Sequence, residues 1–103
     1  MKISELKANS SFDEIILKIV EKEEERNVIM RYGGYARVCN AIGEDEDENK
    51  IKITLWNEEI DGVKVGSIIK IKNGWVKEWN DELQISTGRH GEIIIMAEKN
   101  LEK

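Results

Sequence analysis

Apolar and polar positions alternate along most of this chain, and the period is two. Between Phe12 and Glu21, Ile15, Leu17 and Ile19 interleave with Ile16, Lys18 and Val20, which predicts a β-strand. A helix is the rival reading there, because the spacing also permits one. EKEEERN then loses apolar character and Val28-Ile29-Met30 regains it. Val28 to Arg31 is expected to end the first long strand or to form a short hairpin arm before Gly33-Gly34. Tyr35 to Ile42 predicts a second strand, with Arg37, Cys39 and Ala41 on one face and Ala36, Val38, Asn40 and Ile42 on the other. Lys50 to Trp56 alternates most cleanly. Ile51, Ile53 and Leu55 point one way; Lys50, Lys52, Thr54 and Trp56 point the other. Ser67 to Trp79 gives the next strand segment, broken at Asn73-Gly74, with Ile69 and Ile71 in the core and Trp75, Lys77 and Trp79 on a common face. Leu83 to Ser86 is the last predicted barrel strand, Leu83 and Ile85 inward, Gln84 and Ser86 outward.

The connections are short. Ile3 and Leu6 are expected to cover one end of the core. GEDEDEN is a predicted turn, and Asn57 to Gly66 a short helical turn and loop with Ile60, Val63 and Val65 packed beneath. Asn80-Asp81 is a hairpin turn. Thr87 to Gly91 is expected to be a loop, and Ile93 to Met96 either a closing strand or the start of a helix running to Leu101. Five or more strands with no long helix predict an all-β chain closed into a small barrel, because closure removes exposed edges.

Composition narrows the picture. The 103 residues suggest one domain, residues 1–103, with 1–10 and 97–103 as flanks. Hydrophobic residues make up 40% and charged residues 36%, too apolar and too patterned for a disordered chain. The lone cysteine, Cys39, allows no internal disulfide and fits a reducing, intracellular compartment. Neither a signal peptide nor a membrane span is recognisable. His90 has no histidine or cysteine companions for zinc, the acidic run lacks calcium-loop spacing, and no nucleotide-loop or hydrolase motif occurs. The expectation is a non-enzymatic protein without a cofactor.

The candidate chemistry is concentrated between Ile53 and Ile93, where all three tryptophans lie. Lysines alternate with apolar residues on both sides of them. Rings spaced along basic strands suit single-stranded nucleic acid, since indoles stack on bases while cations follow phosphates. Trp56, Trp75 and Trp79 are the candidate stacking residues. Arg37, Lys50, Lys52, Lys72, Lys77 and Arg89 are candidate phosphate contacts as a set, each singly also readable as a solvated charge. Trp56 packed across a barrel end, or Trp75 and Trp79 as a hairpin-stabilising pair, are the bland alternatives. Tyr32 and Tyr35 either stack or seal the barrel. The formal net charge of −5 opposes long-range attraction of a polyanion. Much of the acid, however, sits in Glu21–Glu25 and Glu44–Glu48, and salt screens such charges beyond about 8–10 Å.

ITLWNEEI, VKVGSIIKIKNGWV and LQISTGRHGEI, in that order, resemble the OB-fold domains of archaeal replication protein A and the related simple single-stranded DNA-binding proteins. The similarity runs from about Leu6 to Ile95, and its most specific part is Gly74-Trp75, Trp79 and Thr87-Gly88-Arg89. The resemblance implies a five-stranded OB-fold barrel that binds single-stranded DNA in replication, recombination or repair, with other OB domains or replication proteins as further partners. It also implies an intracellular, nucleoid-associated protein. By the same resemblance Trp56, Trp75 and Trp79 stack on bases and Arg37 fills the family's basic position on the second strand. Some relatives carry another aromatic where this chain has Ser86. A protein-interaction OB module and an RNA-binding one are the rival functions.

Overall fold

The computed structural model describes residues 1–97. Six strands form one sheet: β1 (Ser10–Lys22), β2 (Arg26–Ile29), β3 (Tyr35–Glu44), β4 (Lys50–Trp56), β5 (Ile68–Trp79) and β6 (Glu82–Ala97), with one short helix, α1 (Glu58–Gly62). The strand order is β1-β5-β6-β4-β3-β2, and β1 also pairs with β3. That last pairing closes five strands into a barrel and leaves β2 as an arm attached to β3. β1 serves two neighbours in turn: Ser10 to Lys18 pairs with β5, and Lys18 to Lys22 with β3, across an irregularity between Ile19 and Glu21. Phe12 to Glu21 is therefore strand and not helix, and Val28 belongs to the hairpin arm.

The predicted inward residues fill the barrel. Ile15, Leu17 and Ile19 of β1 meet Ile51, Ile53 and Leu55 of β4, Ile69, Ile71 and Val76 of β5, and Ile85 of β6, all buried. Each such side chain contributes roughly 1.5–3 kcal/mol of transfer free energy. Leu6 and Ile3 join the cluster from the N-terminal turn, as expected, and Ile60 and Val63 join it from α1 and the residues after it. Val65 does not; half of it is exposed, because the turn at Gly66 carries it outward. Cys39 is buried, and burial raises its thiol pKa.

Two connections differ from expectation. β5 is not broken at Asn73-Gly74, and Thr87 to Gly91 is not a loop. Both strands run through, and the four residues 88–91 bulge opposite the single residue Asn73: Lys72 pairs with Glu92, and Gly74 with Thr87. The bulge needs glycine for space. A Cβ on Gly88 or Gly91 would stand 2.7 or 2.6 Å from the Asn73 carbonyl oxygen. Beyond it, Ile93 and Ile95 continue as strand and pack on the core. Of the two alternatives for this segment the closing strand is found as far as Ala97, and residues 98–101 of the helical alternative lie outside the described residues. The turn from β5 to β6 is a tight one, with Asn80 and Asp81 at φ 52° and 65°.

The acidic turn is more than a solvated run. Asp45 is buried and accepts backbone N–H bonds from Ile3 (2.9 Å), Asp47 (3.0 Å) and Asn49 (3.0 Å). It therefore fixes its own turn and anchors the N-terminal segment. Burial pushes its pKa up, but the three N–H donors outweigh that and the net shift is downward.

Candidate nucleic-acid interface

A cleft of about 470 Å³ crosses the outer face of the barrel. β4 supplies Lys52, Thr54 and Trp56, and β3 supplies Val38 and Asn40; β6 adds Gln84. Lys77, Glu78 and Trp79 from the end of β5 form one side, and Arg26 and Val28 of the β2 arm form the other. Strand register explains the grouping. Val38 lies opposite Trp56, Asn40 opposite Thr54, Lys52 opposite Gln84, and Gln84 opposite Lys77. Thr54 and Gln84 are buried although they point away from the core. They line the same cleft as the two indoles and the β2 arm, and give it a polar floor.

Trp56 and Trp79 are 36% and 65% exposed. Neither is sealed in the core. Arg26, Lys52 and Lys77 face a single carboxylate, Glu78, so the cleft is locally cationic on a chain of net charge −5. None of these three cations makes a salt bridge within 4.0 Å among the described residues. Their charge is available to an incoming anion.

The remaining predicted residues are dispersed. Trp75 shares the outward face of β5 and is 44% exposed, but it sits between Ser11 and Ser86 and does not line the cleft. Lys50 lines the adjoining depression beside Ile42 and Lys52, with Glu44 3.7 Å away. Lys72 lies before the bulge, flanked across the sheet by Glu14 and Glu92. It is outside the cleft. The Arg89 side chain lies outside the described residues. Tyr32 and Tyr35 do not seal the barrel; at 92% and 77% exposure they stand on the hairpin joining β2 to β3.

Arg37 does not join the cleft. It has the parity of Cys39 and Ala41, which are buried in the core, and at the end of β3 it turns toward α1. Its guanidinium donates to Asp61 at 2.8 and 3.2 Å, to Glu25 at 3.4 Å and to the Asn57 carbonyl at 3.1 Å. The Asp61 bond holds the Arg37 pKa above its ordinary value and, reciprocally, the Arg37 bond holds Asp61 below the usual carboxylate range. A guanidinium so occupied has little left for phosphate. Sequence reasoning missed the polar floor and the arm. Asn40, Thr54 and Gln84 have the outward parity but neither a charge nor a ring to mark them, and Arg26 lies at the end of an acidic run that hides it. No group of three or more histidine, cysteine or acidic side chains suited to a metal occurs among the described residues.

A closed five-strand barrel with parallel contact between its third and fifth members, and a cleft across that seam, is the OB fold. No protein-family model matches the chain. Over 99% of its length it superposes on 98% of the second OB-fold domain of replication protein A from Methanococcus maripaludis, with 33% identity and a TM-score of 0.76. The chain belongs to the family of archaeal replication protein A OB-fold domains. It is also 27% identical over 97 residues to the single-stranded DNA binding protein Ssb of Saccharolobus solfataricus, a match covering 94% of this chain and 64% of that protein. This chain thus spans about two thirds of that relative's length. A replication protein A heterotrimer bound to single-stranded DNA shares the fold, with a TM-score of 0.68 and 18% identity over 92% of this chain and 24% of that one. Among the described residues no helix is long and apolar enough to cross a membrane.

Proposed function

We propose that the cleft binds single-stranded DNA, with bases stacked on Trp56 and Trp79 and phosphates met by Lys52, Lys77 and Arg26. The observation that carries this reading is the pairing of two open indoles with a polar floor and three unpaired cations. Each stacked ring is worth about 1–3 kcal/mol, so two rings plus phosphate contacts suffice for useful affinity despite the net acidity. The names of the relatives, a single-stranded DNA binding protein and replication protein A, support the same ligand and a role in replication; recombination and repair, which use the same unpaired strands, belong to the proposal. The protein acts without catalysis or cofactor, inside the cell and in contact with the nucleoid. Other OB domains or replication proteins are its further partners.

Titration of intrinsic tryptophan fluorescence with oligo-dT, oligo-rU and duplex DNA at two salt concentrations tests the proposal. Strong quenching by oligo-dT that weakens with salt supports it. Equal quenching by oligo-rU would redefine the ligand as any single strand. No response to any of the three would favour a peptide in the cleft instead.

A further inference from the structure

Glu59 of α1 stands three residues beyond Trp56 and does not itself line the cleft. Both of its oxygens are engaged. Oε1 accepts the Trp56 backbone N–H at 3.0 Å, and Oε2 accepts the Thr87 hydroxyl of β6 at 2.9 Å.

The ladder explains why Trp56 needs this acceptor. Val38 lies opposite Trp56 and Arg37 opposite Asn57, whose N–H donates to the Arg37 carbonyl at 3.0 Å. In an antiparallel pair that alternation turns the Trp56 N–H away from β3. On that side β4 meets β6 only at Lys52–Gln84 and Ile53–Ile85, so no strand reaches Trp56. The Glu59 carboxylate replaces the missing strand and ties the end of β4 to β6 through Thr87. The other flank is held as firmly. Asn57 sits at φ 52° and ψ −121°, a conformation that costs a non-glycine residue strain. Its side-chain oxygen accepts the Arg37 N–H at 3.0 Å, and its carbonyl accepts the Arg37 guanidinium at 3.1 Å.

We propose that Glu59 is a positioning residue for Trp56: it touches no ligand, and it fixes the backbone from which the indole projects into the cleft, with Arg37 and Asn57 bracketing the opposite side. This rests on the proposed stacking role of Trp56. The proposal sets geometry against charge. Removing an acid near the cleft should strengthen DNA binding if charge alone mattered, whereas losing the bracket should weaken it.

The test is a double-mutant cycle read by the anisotropy of labelled oligo-dT, with melting curves for each variant. Glu59→Gln keeps an acceptor for Trp56, and its amide can donate to the Thr87 hydroxyl, so it is expected to bind at least as tightly as the parent. Glu59→Ala is expected to weaken binding by about fivefold or more, the size of a typical coupling between contacting residues, and to add no more than about twofold in a Trp56→Ala background. Thr87→Val removes one arm of the bracket without touching α1, and should weaken binding in the parent but not in Trp56→Ala; it carries the test if Glu59→Ala fails to fold. Equal losses in both backgrounds, or Glu59→Ala binding as tightly as Glu59→Gln, would overturn the proposal. If Trp56→Ala itself leaves binding unchanged, the stacking reading falls first and the positioning role falls with it.

Discussion

Trp79 offers the cleanest separation of binding from folding. About a third of the residue is covered in the free protein, since 65% of it is exposed. A tryptophan buries about 150–250 Å² when fully enclosed. The covered part is then roughly 50–90 Å², an upper limit of about 1–2 kcal/mol at about 25 cal/mol/Å². Trp79→Ala should accordingly lower the melting temperature only modestly. Loss of one stacked base costs about 1–3 kcal/mol, which raises Kd for oligo-dT by about 5- to 150-fold. Indole carries no charge, so the slope of log Kd against log salt should not change. Anisotropy of a labelled oligonucleotide at several salt concentrations measures both quantities without relying on the indole removed. Trp75→Ala is the internal control: its ring is outside the cleft, and its loss should be smaller. A Trp79→Ala protein that folds and binds like the parent would refute the stacking role, and one that unfolds would show that the ring supports the core.

Lys52→Ala and Lys77→Ala should each weaken binding and flatten the salt dependence by about 0.7 in slope, the increment per phosphate for a single strand; Lys72→Ala, flanked by Glu14 and Glu92, should leave the slope unchanged in the same titration. Gly74→Ala should destabilise the fold, because its Cβ would lie in the ring of buried Phe12, 2.2 Å from Cζ. Overpacking of that kind costs about 1–3 kcal/mol, read as a lower denaturant midpoint and partly restored by adding Phe12→Leu. Asp45 has a depressed pKa in the folded state, so its contribution is complete above the ordinary aspartate value of 3.8 and is lost as the pH falls through the lower folded value. Asp45→Asn should lower the melting temperature at neutral pH and make the acid limb of the stability profile shallower.

The barrel was legible because its inward residues repeat at period two in every strand, and β-branched side chains at those positions leave little choice of conformation. The outward placement of Trp56, Trp79 and the two cleft lysines followed from the same alternation, whereas Trp75 shares that parity and stands outside the cleft. What failed depended on contacts between distant residues. Glycines at 88 and 91 signal a loop when taken alone. Only the Asn73 carbonyl pressed against them makes the segment a bulge inside a continuous strand. Arg37 carried its own warning, since it shares a period with Cys39 and Ala41. The acids that occupy it come from two other elements, and no local pattern announces Asp61 or Glu25 as its partners. Asp45 was submerged in a run of identical charges, although it alone of them turns inward to accept three backbone bonds.

The parallel contact between β4 and β6 consists of two residue pairs, Lys52–Gln84 and Ile53–Ile85, and it lies directly under the cleft. The shortest stitched join in the barrel is thus also the ground a bound strand would cross on its way from Lys52 to Lys77. An occupant acts as a splint across that join, and amide protons at 52–53 and 84–85 should exchange more slowly once it is in place. Resistance to unfolding and occupancy then rise and fall together, so a cell short of exposed DNA would hold this domain in its most perishable form.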